Sequence, residues 1–254
     1  MNNNEKTPIK TPIKILIVDD HTFLREALRS LLQADPSLEI VGEANNGRKA
    51  VELAKEIQPH IILMDVGMPR MNGLCAARQL QKDTPNIRII LLTAFGTDPY
   101  IHQVINNNFN NNIKGYLLKD SPSNLITHAI HEVAKGNTFH SPAISRRMRT
   151  IYDEIPIPIP IPIPIPLGND IKKDLIKLTN REIEVLQLIA EGDANKQVAG
   201  ELNISIKTVE KHRQNLMDKL HIHDTASLTR YAISAGVIPN SAGVIGNIQP
   251  IQPI

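Results

Sequence analysis

The segment ILIVDD, residues 15–20, is a short apolar run that ends in two aspartates. Apolar runs of this kind recur through the first half of the chain, and stretches with helical spacing separate them. Because neighbouring parallel strands need a crossover, this fivefold alternation predicts an α/β fold with a doubly wound, five-stranded parallel sheet. The runs are Lys14–Val18, Leu38–Val41, Ile61–Met64, Ile87–Leu92 and Gly115–Leu118, and the helical stretches are residues 22–34, 46–57, 72–82, 98–107 and 123–135.

The second half of the chain has a different pattern. Residues 179–236 show only helical spacing, which predicts an all-α domain. Thr179 and Glu182 have the spacing of a capping box at the start of its first helix. A short helix at Asn195–Leu202, a break at Asn203–Ser205 and a longer helix that ends at Leu220 have helix-turn-helix spacing.

Residues 155–166 read IPIPIPIPIPIP and separate the two patterns. Proline lacks an N–H and pushes its predecessor to extended geometry, so the segment should be a stiff rod of about 37 Å. A buried edge strand is the alternative, although alternate residues could not donate ladder hydrogen bonds. We therefore predict a tail at 1–12, a first domain at 13–137, a linker at 138–174, a second domain at 175–238 and a flexible tail at 239–254, with the rod holding the domains apart.

Composition narrows the class of protein. The 254 residues suit two ordinary domains, and a single cysteine excludes an internal disulfide framework. No run of about 18 apolar residues or signal peptide is evident, so we expect a cytoplasmic protein with no membrane partner. A net charge of +2 does not by itself predict nucleic-acid binding, which depends on clustered Lys and Arg.

Polar side chains stand at the ends of four predicted strands. Asp19 and Asp20 follow the first run, Asp65 the third, Thr93 ends the fourth, and Lys119 follows the fifth. Taken singly, each aspartate has an ordinary reading as a helix cap or turn residue. Together they should converge at the carboxyl edge of a parallel sheet. Three adjacent carboxylates repel one another, so we expect a hard divalent cation, Mg²⁺, and a carboxylate that can attack phosphorus.

Residues 14–136 resemble the receiver domain of bacterial response regulators, with a flavodoxin-like fold. The motifs that carry this resemblance are LIVDD (16–20), MDVGMP (64–69) with Gly73, LLTA (91–94) and GYLLKD (115–120). The tract NNNFNNN, residues 106–112, lengthens the segment before GYLLKD relative to the family, on the face that transmits the signal. The resemblance implies that Asp65 accepts the phosphoryl group, that Asp20, Asp65 and the Gly67 carbonyl bind Mg²⁺, that Asp19 acts through a metal-bound water, and that Lys119, Thr93 and Tyr116 respond to phosphorylation.

The longer helix of the second domain is amphipathic. Val209, Leu216 and Leu220 share one stripe, and the opposite polar face could enter a major groove. An ordinary solvated helix is the alternative, because the excess of positive charge is small.

Residues 178–236 resemble the four-helix, LuxR-type helix-turn-helix domain of the NarL/FixJ response-regulator subfamily. The matching blocks are LTNREIEVLQLIAEG, NKQVAGELNIS and KTVEKHRQNLMDKL. The last helix, Thr225–Ala235, matches the family's dimer contact. The resemblance implies base contacts by Glu210, Lys211 and Gln214, and contacts to DNA phosphates by Lys196, Lys207, Thr208, His212, Arg213 and Asn215.

Three functions compete. The leading hypothesis is a phosphorylation-controlled transcription factor, not a multiple-turnover enzyme, that only phosphorylates itself and slowly hydrolyses its aspartyl phosphate. Its expected partners are a sensor histidine kinase, double-stranded promoter DNA and a second copy of the chain, with RNA polymerase as a further candidate. The alternatives are an aspartate-nucleophile phosphohydrolase, whose acids usually stand two residues apart, and a constitutive DNA-binding protein whose receiver is only a scaffold.

Overall fold

A computed structural model describes residues 11–94, 112–154 and 178–238 of the chain. The predicted helix at 98–107, most of the NNNFNNN tract, the Ile-Pro segment, residues 1–10 of the predicted N-terminal tail and the predicted C-terminal tail lie outside these ranges. No helix within them is long and apolar enough to cross a membrane.

The first domain is a parallel sheet with strand order β2-β1-β3-β4-β5-β6. The five predicted strands are present, and a sixth, two-residue strand extends the sheet beyond β5. The strands are β1 (Ile13–Val18), β2 (Leu38–Ala44), β3 (Ile61–Asp65), β4 (Arg88–Thr93), β5 (Ile113–Leu118) and β6 (Phe139–His140). The helices of this half are α1 (Thr22–Gln33), α2 (Gly47–Ile57), α3 (Gly73–Asp83), α4 (Ser123–Ala134) and α5 (Pro142–Glu154).

Alternate residues of each strand pack on opposite faces of the sheet, as the twofold repeat of a strand requires. In β1, Ile15 and Ile17 pack in the core that includes Leu28 of α1. Leu16 and Val18 pack in the core that includes Ala50 of α2. The sheet is thus covered on both faces, which explains why its strands read as continuous apolar runs.

The predicted linker, residues 138–174, includes regular structure at its start. Residues Phe139–His140 pair in parallel with β5, and α5 follows with Ile144 fully buried and Met148 nearly so. This part of the linker packs on the first domain because it carries apolar residues at helical spacing.

The second domain has four helices within the described ranges: α6 (Asn180–Ala190), α7 (Asn195–Leu202), α8 (Ile206–Leu220) and α9 (Thr225–Ser234). The capping box predicted for Thr179 and Glu182 is present, and the carboxylate of Glu182 also pairs with Lys219 of α8. Asn203 ends α7 in the left-handed conformation, and the Ser205 side chain caps α8 by accepting a hydrogen bond from the Thr208 amide. These two residues make the sharp turn between the helices.

The two domains are in contact, so the prediction that the Ile-Pro segment holds them apart is wrong. The apolar core that covers α2 and α3 continues into the core of the second domain. The amide N–H of Asn72 donates to Gln187 Oε1 of α6 (3.0 Å), and Arg70 Nη1 pairs with Asp193 Oδ2 (2.5 Å). The stiffness of a spacer does not decide whether the two domains that it joins attract each other. Here the two domains have complementary surfaces, and these surfaces pack together.

Candidate phosphorylation site and DNA-binding surface

The acidic site lies at the carboxyl edge of the sheet, where the strand order reverses beside β1. Val18 of β1 stands in register with Met64 of β3, so the aspartates that follow these two residues become neighbours. Asp19 and Asp65 are almost completely buried, whereas Asp20 is half-buried. The strand ends therefore bring together the three carboxylates that the sequence indicated.

Lys119 lies between two of the carboxylates. Its Nζ is 2.7 Å from Asp19 Oδ2 and 2.9 Å from Asp65 Oδ2. The Lys119 backbone N–H also donates to the Thr93 carbonyl at the end of β4, which fixes the origin of the side chain. Lys119 therefore supplies the positive charge that allows two buried carboxylates to lie side by side.

Burial sets the charge balance of the site. It raises the pKa of Asp65, and the negative charge of Asp19 raises it further, while the attraction of Lys119 acts in the opposite direction. Burial alone would lower the pKa of Lys119, but the charge of Asp65 and hydrogen bonds to Asp19 and Asp65 outweigh it and raise that pKa. Lys119 is therefore held as a cation against Asp65, which loses its proton less readily than an ordinary aspartate.

His21 also belongs to this cluster, although it was not among the predicted site residues. Its Nδ1 is 2.9 Å from Asp20 Oδ1 and 3.1 Å from Asp19 Oδ1. One ligand atom from each of Asp19, Asp20, His21 and Asp65 can be chosen so that all lie within 4.8 Å of one another. The cluster can hold a metal ion, and its mainly carboxylate donors suit a hard divalent cation. The position of His21 directly after the paired aspartates was the signal that could have revealed it.

The other receiver residues that were predicted lie around the cluster. The Gly67 amide N–H donates to Asp65 Oδ1 (3.2 Å), which places Gly67 directly beside Asp65. Thr93 is buried at the end of β4. Tyr116 of β5 is fully buried and packs in the core on the side of the sheet that α2 and α3 cover. It lies two residues before Leu118, which is the register partner of Thr93 in β4.

The polar face of α8 is open to solvent. Val209, Leu216 and Leu220 are buried as predicted. Among the residues predicted to contact DNA, Lys196, Lys207, Glu210, Lys211, Gln214 and Asn215 are exposed, and Thr208, His212 and Arg213 are half-buried.

Two of the half-buried residues also hold the second domain together. Arg213 donates to Asn195 Oδ1 of α7 and to Thr225 Oγ1 of α9. The Thr208 hydroxyl lies 2.8 Å from Ser205 Oγ at the start of α8. Arg213 therefore ties three helices together, in addition to any role on DNA.

Comparison with known proteins agrees with this division into two domains. Residues 15–131 match the response regulator receiver domain family, and residues 177–232 match the LuxR family of bacterial regulatory proteins. The chain is 31% identical over 227 residues to the transcriptional regulatory protein DegU of Brevibacillus brevis, covering 88% of this chain and 94% of that protein. It is 32% identical over 229 residues to the response regulator protein VraR of Staphylococcus aureus, covering 89% of this chain and 99% of that protein.

Solved structures share the fold. RcsB of Salmonella enterica serovar Typhimurium, solved bound to a promoter with the phosphomimetic BeF₃⁻, matches with a TM-score of 0.54 at 24% identity over 87% of this chain and 98% of that one. A LuxR-family two-component response regulator from Aurantimonas sp. SI85-9A1 matches with a TM-score of 0.52 at 26% identity, over 57% of this chain and all of that one. The chain belongs to the response regulator family that joins a receiver domain to a LuxR-type helix-turn-helix DNA-binding domain.

Proposed function

We propose that this protein is a transcriptional regulator in which phosphorylation of Asp65 controls binding to promoter DNA. Residues 13–137 form the receiver domain, 138–174 the linker and 175–238 the DNA-binding domain of this proposal. The phosphoryl donor is a sensor histidine kinase, and the phosphorylated chain acts on promoters as a dimer.

The observation that carries the proposal is the position of Lys119 between Asp19 and Asp65 in a buried acidic cluster. A buried ion pair costs desolvation energy and is therefore weak evidence of a purely structural role. A carboxylate that is buried, next to a fixed cation and at the strand ends of an open sheet has the surroundings of a nucleophile.

The chemistry assigned to Asp65 is a single displacement at phosphorus. A carboxylate oxygen of Asp65 attacks the phosphorus atom, the bond from phosphorus to the donor breaks, and its electron pair leaves with the donor. An acyl-phosphate donor then departs as a carboxylate, and a phosphohistidine donor departs as imidazole after taking up a proton. Lys119 and the Thr93 hydroxyl stabilise the charge on the phosphoryl oxygens of the product.

Mg²⁺ would be held by Asp20, Asp65 and the Gly67 carbonyl, with Asp19 acting through water. A bound Mg²⁺ supplies charge neutralisation between the attacking carboxylate and the phosphoryl oxygens. The assignment is supported by the grouping of one ligand atom from each of Asp19, Asp20, His21 and Asp65 within 4.8 Å of one another. Slow hydrolysis of the aspartyl phosphate is the only turnover expected.

The DNA-binding part of the proposal rests on the exposed face of α8. Glu210, Lys211 and Gln214 would read base edges in the major groove, and the neighbouring polar residues would contact phosphates. Phosphorylation would draw Thr93 toward the site, let Tyr116 follow and create a self-complementary receiver face. Dimerisation then brings two DNA-binding domains to paired half-sites, which raises their effective concentration.

The test is incubation of the full chain with acetyl phosphate and Mg²⁺, followed by intact-mass spectrometry. A single adduct of one phosphoryl group is expected in the parent and in Asp120→Asn, which changes an exposed aspartate next to Lys119. The adduct should be absent in Asp65→Asn and when a chelator removes Mg²⁺.

Other outcomes point to other functions. Labelling that persists in Asp65→Asn, or that maps to Asp19 or Asp20, contradicts the proposal. Rapid turnover of the donor without a lasting adduct would favour a phosphohydrolase, and no adduct at all would favour a receiver that is only a scaffold.

A further inference from the structure

The second domain contacts the receiver through the loop that directly follows the phosphoacceptor. The side-chain amide of Gln187, fully buried on α6, donates from Nε2 to the Met68 carbonyl (3.0 Å) and accepts at Oε1 from the Asn72 N–H (3.0 Å). Asn72 Nδ2 donates in turn to the Val237 carbonyl, beyond α9 (2.9 Å). A glutamine that is buried at a domain interface and satisfied by loop backbone on both of its amide atoms is a specific contact, because an unmade hydrogen bond there would be costly.

Charged contacts flank Gln187 on the same loop. Arg70 donates its backbone N–H to the Glu191 carboxylate and pairs through Nη1 with Asp193. Arg70 has a φ of 68°, in the left-handed region that costs a non-glycine residue energy. The second domain therefore stabilises a loop conformation that Arg70 would not prefer alone.

This loop is coupled to the site through its backbone. The Gly67 amide donates to Asp65 Oδ1, and the Gly73 amide donates to the Val66 carbonyl. A cleft of about 550 Å³ lies beside the site, with Asp20 and Gly67 on one side and Glu191 and Asp193 on the other. An anionic phosphodonor that enters this cleft meets two carboxylates of the DNA-binding domain, and Arg70 is already engaged by them.

The DNA-reading face, in contrast, is left uncovered by the same contact. Lys207, Lys211 and Gln214 of α8 are exposed in the structure that holds the domains together. The contact between the domains thus holds the loop at Met68–Asn72 but leaves these three residues of α8 exposed.

From these observations we propose that the docked DNA-binding domain restrains phosphorylation of its own receiver while its DNA-reading helix stays accessible. The inference rests on the proposed function, since it concerns the rate at which Asp65 is phosphorylated. Gln187 is the central positioning residue of this restraint: it holds the loop between Met68 and Asn72 and does not touch the reacting atoms.

The single cysteine of the chain reports on the contact. Cys75 is buried on α3, in the apolar core that continues into the second domain. Burial raises the pKa of Cys75 to about 11, which makes the thiol unreactive while the domains stay together. Parting of the domains should therefore speed its modification by a thiol reagent.

The experiment compares the full-length parent with Gln187→Ala, and uses Gln33→Ala, an exposed glutamine at the end of α1, as the matched control. Three rates or affinities are measured: modification of Cys75 by a thiol reagent, labelling of Asp65 by acetyl phosphate with Mg²⁺, and binding of the unphosphorylated chain to a mixed-sequence DNA duplex. Gln187→Ala removes two buried hydrogen bonds, so both the modification of Cys75 and the labelling of Asp65 should become faster, on the order of tenfold. DNA affinity should stay within about twofold of the parent, since the contacted surface is separate.

If Gln187→Ala does not fold, Asp193→Asn removes the Arg70 pair instead, with Asp83→Asn, which changes a surface pair with Lys55, as its control. If Cys75 is modified faster but Asp65 is labelled at the parent's rate, the docked domain does not restrain phosphorylation. The same conclusion follows if neither the modification rate nor the labelling rate changes. A parallel rise in DNA affinity overturns the claim that the reading helix is accessible. Absence of Asp65 labelling in the parent marks failure of the proposed function itself, which the Asp65→Asn comparison identifies separately.

Discussion

Gly73, the first residue of α3, lies so close to Asp65 that a Cβ atom at residue 73 would stand 2.1 Å from the Asp65 carbonyl oxygen. No real side chain tolerates this distance from backbone, so the loop after Asp65 can close only on a glycine. The contact fixes the backbone of the proposed phosphoacceptor against the start of α3.

Gly73→Ala should therefore displace the Asp65 backbone, lower the rate of labelling by acetyl phosphate and reduce the free energy of unfolding by about 1–3 kcal/mol. Gly200→Ala is the matched control, because a Cβ atom there meets nothing within 4 Å and α7 should gain about 0.5–1 kcal/mol. Urea unfolding of both variants measures the difference. Equal stability of the two variants would contradict the close approach.

Replacement of Lys119 should separate its effect on the charge of the aspartates from its effect on phosphorylation. Lys119→Met leaves Asp19 and Asp65 without the cation between them, so the carboxylates repel each other and the metal-free protein should lose about 3–5 kcal/mol of stability at neutral pH. A divalent cation should then bind the aspartates more tightly. Phosphorylation of Asp65 should become slower, because the phosphoryl oxygens lose the Lys119 cation as a partner.

The measurement for Lys119 is the increase in melting temperature on addition of Mg²⁺, together with the rate of labelling. Lys82→Met, on the exposed side of α3, serves as the control. A smaller Mg²⁺-induced increase in Lys119→Met than in the parent would argue against electrostatic competition at this site.

The two lysines of α8 should differ in their effect on DNA binding. Lys211→Ala should weaken binding to a cognate operator by about 1–3 kcal/mol, because it removes a base contact. Lys207→Ala should weaken operator and mixed-sequence DNA about equally and reduce the dependence of affinity on salt. Salt titrations of binding for both variants test this, and variants that both bind like the parent would show that α8 does not enter the groove.

A hydrogen-bonded carboxylate at the other end of the receiver should make the stability of the protein depend on acid. Asp35 accepts hydrogen bonds from the Ser37 side chain (2.6 Å) and amide and pairs with His131 of α4 (2.9 Å). These contacts, with the Ser37 hydroxyl first, lower the pKa of Asp35 to about 2 from 3.8. A folded-state pKa below the unfolded value contributes stability above pH 4 that is lost as the pH falls toward 2.

Asp35→Asn should thus cost about 1 kcal/mol at pH 7, after allowance for solvent screening, and less at pH 3. Urea unfolding at the two pH values gives both numbers, with Asp120→Asn as the exposed control. A cost that is the same at pH 3 and pH 7 would show that the charge of Asp35 does not contribute.

Much of the fold could be predicted from the sequence, because its elements are specified locally. The apolar runs that end at Val18 and Met64 became β1 and β3, and α7 has the bounds that were predicted. Site residues at strand ends were predictable for the same reason, since parallel strands present their carboxyl ends at one edge. The sixth strand was not, because its two residues, Phe139 and His140, are too few to show a period.

The order of residues along the chain already specifies which side chains could form the acidic cluster and which face of α8 is polar, because both follow from the repeat of a strand or a helix. The packing of the folded chain is what places Lys119 between Asp19 and Asp65, brings His21 into the same cluster, and lets Gln187 hold the loop at Met68 and Asn72. The contacts of Lys119 and Gln187 join residues that are far apart in the chain or belong to different domains, and no local periodicity encodes them, whereas His21 directly follows the two aspartates in the chain. Such contacts depend on how well two surfaces fit after each has formed. The local pattern of the Ile-Pro segment contains no information about that fit, so it predicted separate domains where the folded domains are in contact.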